Sequence, residues 1–245
     1  MQEHAFQPTL LWAIALLPLL GFVINAVAAF VVPGRKIIPT AVGPGVVGLA
    51  LLIALVNFFG LLRTELHEPI VETYWSWMAV GSLRIGAALQ LDQLSIVMTL
   101  IVTGVGFLIH VFSVGYMHED PGYARYFAYL NLFVFFMLVL VLGANYAVMF
   151  VGWEGVGLCS YLLIGFWFSE KVNADAGMKA FIMNRIGDCG FLVAMFLIWQ
   201  YTGSLDYEEV FAKAPAVLPA GGAAVTAIAL FLFLGCTGKS AQIPL

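Results

Sequence analysis

Charge is what this sequence has least of. Asp, Glu, Lys and Arg together make up 10% of its 245 residues, against about a quarter in an average soluble domain. A soluble fold of this length would lack the polar surface to cover itself. The net charge of −4 leaves no basic footprint, so a nucleic-acid partner is not expected. Cysteine is scarce too. Cys159, Cys189 and Cys236 sit far apart in apolar runs, and no C-x-x-C pair exists. That argues against a zinc site or a disulfide framework and leaves packing as their role. The opening residues, MQEHAFQPTL, lack the basic n-region of a cleavable signal peptide. N-x-[ST] sites and low-complexity segments are also absent.

What is there is apolar. Hydrophobic residues make up 62% of the chain, and the mean hydropathy is +1.00. An all-α polytopic membrane protein in a lipid bilayer follows. At about 20 apolar residues per crossing, the runs predict about seven spans. They lie near Thr9–Val32, Pro39–Leu62, Asp92–Met117, Tyr126–Leu142, Asn145–Phe168, Ala174–Tyr201, and from Gly222 to the end. Between the second and third spans, Thr73 to Asp92 mixes aromatic and β-branched residues around Gly81-Ser82, which predicts a short interfacial hairpin.

Basic residues orient the chain. Arg35, Lys36, Arg125, Lys171 and Lys179 fall at span ends that alternate onto one side, and the positive-inside rule makes that side the cytoplasm. Glu3, Glu65, Glu68, Glu72, Asp206, Glu208 and Glu209 collect on the other. The N-terminus is then outside.

Four ionisable side chains do not fit into loops: Glu154, Arg185, Asp188 and Lys239. Each costs roughly 2.5–3.5 kcal/mol at a helix centre on insertion scales. Their charges cancel, as pairing in a bundle interior requires. Glu154 lies roughly 14 Å into its span at the helical rise, near mid-membrane, with Gly157 beside its face. Arg185 and Asp188 are three residues apart and can pair along one helix, with Asn184 on the same arc. The plainer reading of Glu154 and of the Arg–Asp pair is a helix tie. Lys179 points elsewhere and is explained by snorkelling.

Lys239 sits in TGKS, which resembles the end of a phosphate loop. That motif needs a glycine where this chain has Phe233, and no strand precedes it. A nucleotide site is rejected. What remains is a lysine within a span, flanked by Gly235, Gly238 and Pro244, a pattern that predicts a broken or kinked seventh helix. A snorkelling lysine is the plainer alternative. His110, in GFLIHVFSVGYM, lies alone on an apolar face. It reads as a hydrogen-bonded core residue or as a proton relay.

The stretches NYAVMFVGWEGVGLCSYLLIGFW, AFIMNRIGDCGFL, GKSAQIPL and DQLSIVMTLIVTGVGFLIHVFSVGYM resemble one family. It is that of the antiporter-like membrane subunits of proton-pumping NADH:quinone oxidoreductase, respiratory complex I, most of all the distal one. The motifs cover most of the chain from Asp92 onward. The resemblance implies a proton-translocating subunit with no redox centre of its own. NADH, FMN, iron–sulfur clusters and quinone belong to partner subunits. It implies neighbouring membrane subunits, especially another antiporter-like one, in a bacterial cytoplasmic or mitochondrial inner membrane. It also implies that Glu154 pairs with Lys239 on a broken helix, with Asp188 and Arg185 as the family's sixth-helix charges. Residues 1–117 are then an N-terminal three-helix region, and residues 118–245 begin an inverted repeat that family chains complete beyond Leu245. The sequence is therefore expected to be a fragment or a truncated product. A multisubunit cation/proton antiporter subunit, a membrane-bound hydrogenase subunit and a purely structural scaffold remain alternatives.

Overall fold

The computed structural model describes residues 10–63, 68–243 and 245. Thr9, Glu3, Glu65 and Pro244, which entered the span, sidedness and helix-break expectations, lie outside the described residues.

Among the described residues, seven helices are long and apolar enough to cross a membrane. They are α1 (Leu11–Val31), α2 (Ile37–Leu61), α3 (Gln93–Tyr116), α4 (Tyr123–Leu142), α5 (Tyr146–Ile164), α6 (Lys171–Thr202) and α8 (Ala223–Ser240). Each coincides with an expected span. The eighth helix, α7 (Tyr207–Val217), is short and was not expected. Its first turn carries Glu208 and Glu209, where negative charge suits the helix dipole. The expected hairpin is present as β1 (Ile70–Val80) and β2 (Leu83–Leu91), forming a two-stranded sheet. Gly81, at φ 59, supplies the left-handed turn residue between them.

Helix packing divides the chain into two compact units. The first holds α1, α2, α3 and α4. Asp92 starts α3 with a reciprocal cap: Ser95 N–H donates to Asp92 Oδ1 at 2.7 Å, and Asp92 N–H donates to Ser95 Oγ at 2.8 Å. The polarity of this unit is inverted relative to a soluble bundle. Phe30, Val56, Leu108 and Phe112 are exposed, whereas Asn25, Asn57, Thr99, Thr103, His110 and Asn131 are buried. That is the arrangement expected where the surrounding solvent is hydrocarbon.

The second unit holds residues 73–88 of the hairpin with α5, α6, α7 and α8. Asn145 organises its entry. Its Oδ1 caps α5 by accepting from Val148 N–H at 2.9 Å, and its Nδ2 donates to Gly86 O at 2.9 Å. Backbone bonds from Ala144 N–H to Ala88 O (3.1 Å) and from Tyr146 N–H to Leu205 O (3.1 Å) pin the same end. The apolar core includes Ala147, Phe191, Ala194, Met195, Ile198 and Ile228.

Helices α6 and α8 pack backbone to backbone. Bare backbone makes the contact. A Cβ on Gly187 would lie 3.1 Å from Gly235 O and 3.4 Å from Gly238 Cα. Small residues allow this approach where lipid offers no hydrophobic drive for association. α8 runs uninterrupted through Gly235 and Gly238 and stops at Ala241, which is left-handed at φ 50. Neither glycine breaks the helix. They serve as the surface that receives α6.

Gly187→Leu should lower stability by about 1–3 kcal/mol through overpacking. Gly104→Ala, whose added Cβ meets only Leu51 Cδ1 at 3.8 Å, should be neutral or slightly stabilising. Thermal unfolding in detergent, followed by tryptophan fluorescence, checks the contrast.

Candidate functional site

Three helices of the second unit bring the expected charges together. The α6 register places Arg185 and Asp188 on one face, and Arg185 Nη1 lies 3.7 Å from Asp188 Oδ2. From α5, the Glu154 carboxylate forms an ion pair with the same Arg185 nitrogen. Arg185 also lies over the Phe181 ring, 4.7 Å from its centre. Arg185 is therefore held between two carboxylates and an aromatic face. The burial is uneven: the Asp188 side chain is 4% exposed, Glu154 25% and Arg185 39%.

Lys239 enters from α8. It does not reach the Glu154 carboxylate, as the family resemblance had implied. Its ammonium instead donates to the carbonyl of Trp153, the preceding residue, at 2.9 Å. It also lies 5.4 Å from the Trp153 ring centre, a cation–π distance. The ammonium lies close against α5 at Gly157. A Cβ on Gly157 would sit 2.8 Å from Lys239 Nζ, so a larger residue there would push the ammonium aside. The lysine is thus aimed one residue before Glu154, and Arg185 occupies the carboxylate.

Trp153 is the residue that sequence reasoning missed. Its indole N–H donates to Asp188 Oδ1 at 2.7 Å, while its carbonyl accepts Lys239. Its ring packs on Phe191 with centres 5.3 Å apart. The signal was present. A tryptophan at mid-span, away from the interface, carries an N–H that must find an acceptor when buried. Through it the site becomes one chain, Glu154–Arg185–Asp188–Trp153–Lys239. Two atoms of this chain stay unsatisfied: Asp188 Oδ2 and Arg185 Nε are buried with no hydrogen-bond partner among the described residues.

His110 belongs to the first unit and to a different network. Its Nδ1 faces Gly106 O at 2.7 Å, and its Nε2 lies 3.1 Å from Asn131 Nδ2. A carbonyl can only accept, and an amide nitrogen can only donate. The imidazole is therefore neutral, with the proton on Nδ1. Asn131 also donates to Gly43 O at 3.0 Å and accepts from Asn25 Nδ2 at 2.9 Å. His110 is not alone on an apolar face. Thr99, Thr103, Gly106, His110 and Ser113 form a stripe at helical spacing, and the four with side-chain polar groups are buried. That spacing was legible and went unread. Among the described residues, no group of His, Cys, Asp and Glu is placed to hold a metal ion.

Comparison with known proteins fits this geometry. Residues 77–127 match the family model for the N-terminus of NADH-ubiquinone oxidoreductase (complex I) chain 5. Residues 143–245, which contain every member of the charged chain, match the model for NADH:quinone oxidoreductase/Mrp antiporter transmembrane segments. Together they cover more than half of the sequence. The chain belongs to this family of antiporter-like membrane subunits.

Among curated relatives, subunit L of NADH-quinone oxidoreductase from Mycobacterium tuberculosis is 51% identical over 183 residues, covering 75% of this chain and 28% of that protein. The Escherichia coli K12 subunit L is 44% identical over 235 residues, covering 94% and 37%. NADH-ubiquinone oxidoreductase chain 5 of Metridium senile is 41% identical, covering 93% and 37%. The chain thus spans about a third of the length of these relatives. Among solved structures, a chain of the Mrp complex from Dietzia sp. DQ12-45-1b aligns with TM-score 0.76 at 26% identity, covering 94% of this chain and 24% of that one. A chain of an archaeal membrane-bound sulfane sulfur reductase, at 21% identity over 93% of this chain and 44% of its own, shares the fold with TM-score 0.76.

Trp153→Phe keeps the ring beneath Lys239 but removes the indole donor. It should cost about 1.5–3 kcal/mol, the range for a hydrogen bond to a charged group. Adding Asp188→Asn should cost little more, because coupled residues are non-additive. Additive losses in a double-mutant cycle of unfolding free energies would show that the two do not act together.

Proposed function

We propose that this chain is part of a proton-translocating subunit of NADH:quinone oxidoreductase, and that the Glu154–Arg185–Asp188–Trp153–Lys239 chain moves the proton. The observation that carries the reading is Asp188 Oδ2, a buried carboxylate oxygen without a hydrogen bond inside a chain of alternating charges. Most buried polar atoms are hydrogen-bonded, and here Arg185 Nε is open beside Asp188 Oδ2. A carboxylate oxygen left open beside a cation is where a proton or water can be exchanged.

Arg185 has two carboxylates within reach. Turned to Glu154, it leaves Asp188 to favour the protonated form of Lys239. Turned to Asp188, it competes for that carboxylate, and the desolvated ammonium releases its proton. Burial disfavours a lysine's charge and a nearby carboxylate favours it, so a small rotation of one guanidinium suffices as a switch. Conformational change elsewhere in the complex would drive it. His110 is at most an accessory, since its neutral tautomer is locked by two hydrogen bonds.

In this reading the chain carries no redox centre. NADH, FMN, iron–sulfur clusters and quinone are handled by partner subunits, and an antiporter-like neighbour abuts it in the energy-coupling membrane. Its N-terminus faces outward, with Arg35, Lys36, Arg125 and Lys171 on the cytoplasmic or matrix side. Residues 118–245 form the start of the proton-channel repeat. The higher identity to oxidoreductase chains than to the Mrp chain favours this assignment over a cation/proton antiporter.

In the full-length subunit within its complex, Glu154→Gln and Lys239→Ala should each remove most NADH-driven proton uptake into sealed vesicles, per assembled complex. The double variant should be little worse than either. Normal uptake in both single variants would sink the switch. A scaffold role predicts failed assembly in each single variant, because one charge is left buried and uncompensated, with partial rescue when both are removed.

A further inference from the structure

The Arg185 guanidinium has a neighbour outside the charged chain. Phe181 lies one turn earlier on α6, and the guanidinium carbon sits 4.7 Å from its ring centre. Side chains on a helix lean toward its N-terminus and cover the residue three or four positions earlier. Arg185 therefore leans onto Phe181, and Asp188, three residues later, leans onto Arg185. The ring is braced from the next helix. Tyr161 of α5 packs on it with ring centres 5.6 Å apart and planes at 56°.

We propose that Phe181 is a positioning residue that holds Arg185 toward Glu154 and keeps it from closing on Asp188. This rests on the reading of Arg185 as the switch. Arg185 Nη1 stops 3.7 Å from Asp188 Oδ2, beyond hydrogen-bond length. Opposite charges three residues apart on one helix would close that gap if both were free to turn. The two side chains that face each other across it also carry a matched donor and acceptor. Arg185 Nε and Asp188 Oδ2 are both buried with no hydrogen-bond partner among the described residues. A donor and an acceptor of opposite charge, left open side by side, have to be held apart.

Each side of the gap is held. The Trp153 indole N–H ties Asp188 through its other oxygen, Oδ1, at 2.7 Å. Glu154 takes Arg185 through Nη1. An ion pair through one nitrogen leaves the guanidinium free to pivot, and the Phe181 face removes that freedom. A ring attracts the cation through its π-electrons and accepts none of its in-plane N–H bonds. The remaining donors of Arg185 stay available for a carboxylate. An aromatic face is worth a factor of about 2 to 30 in population, enough to bias a side chain with two positions without trapping it. An acidic residue at 181 would trap it, and an aliphatic one would leave it unbiased.

The test uses the full-length subunit in its complex. Phe181→Leu keeps an apolar side chain and removes the ring face, whereas Phe181→Tyr keeps the ring. Cryo-electron microscopy reads the position of Arg185, and NADH-driven proton uptake into sealed vesicles is measured per assembled complex. In Phe181→Leu, Arg185 should turn from Glu154 to Asp188 and close the gap to about 2.8 Å. Uptake should fall by about 2- to 30-fold. Phe181→Tyr should keep both the Glu154 pairing and the uptake. Arg185 still paired with Glu154 and apart from Asp188 in Phe181→Leu overturns the proposal, and so does loss of that pairing in Phe181→Tyr. Should Phe181→Leu not assemble, Phe181→Met, which fills similar space with a flexible chain, is read in the same way. Failure of the switch itself looks different. If Arg185 moves in Phe181→Leu while uptake stays normal there, in Glu154→Gln and in Lys239→Ala, positioning by Phe181 stands and the proton-switch reading falls.

Discussion

An ionised side chain inside a membrane bundle needs a countercharge or a polar partner, and much of the second unit follows from that need. The need is greatest at Asp188, whose side chain is 4% exposed against 39% for Arg185. Glu154 and Asp188 therefore share Arg185. Lys239, left without a direct carboxylate, is held by a carbonyl and an indole face. Those contacts require backbones in near contact, and glycine is the residue that permits it. Gly187 meets Gly235 and Gly238 at the α6–α8 crossing, and Gly157 clears the space for the lysine ammonium. The charges and the glycines are one design seen from two sides.

The first unit meets a related constraint without charge. Asn25, Asn131 and His110 form a neutral hydrogen-bonded core in which each partner's role is fixed by donor and acceptor chemistry. Such a core stabilises a bundle in lipid while offering little to a moving proton. The two units thus differ in kind. One is polar and neutral at its core, with Asn25 Oδ1, Asn57 Oδ1 and Thr99 Oγ1 buried without a hydrogen-bond partner among the described residues. The other is ionic, with a carboxylate oxygen left open. That contrast is why the functional reading rests on α5, α6 and α8.

The spans were legible because a bilayer demands a minimum apolar length, and the chain is punctuated by Pro33-Gly34, by the hairpin and by charged turns. Observed ends fall within a few residues of the expected ones. Helix α7 was not legible: its 11 residues carry two glutamates and a proline and look like loop composition. It forms because Tyr146 N–H and Leu205 O, with Asn145 opposite Asp206, clamp the chain ahead of it.

By itself the sequence determined which residues are charged inside the membrane, and that Arg185 and Asp188 share a face. A three-residue offset on a helix leaves no other geometry. It could not determine which carboxylate meets which cation across helices, because that depends on how each helix is rotated and how closely its neighbour approaches. Packing chose Arg185 for Glu154 and the Trp153 carbonyl for Lys239. A resemblance read along the chain had paired Glu154 with Lys239 directly. Periodicity fixes contacts within a helix, and only the packed backbone, admitted here by Gly157 and Gly187, decides contacts between them.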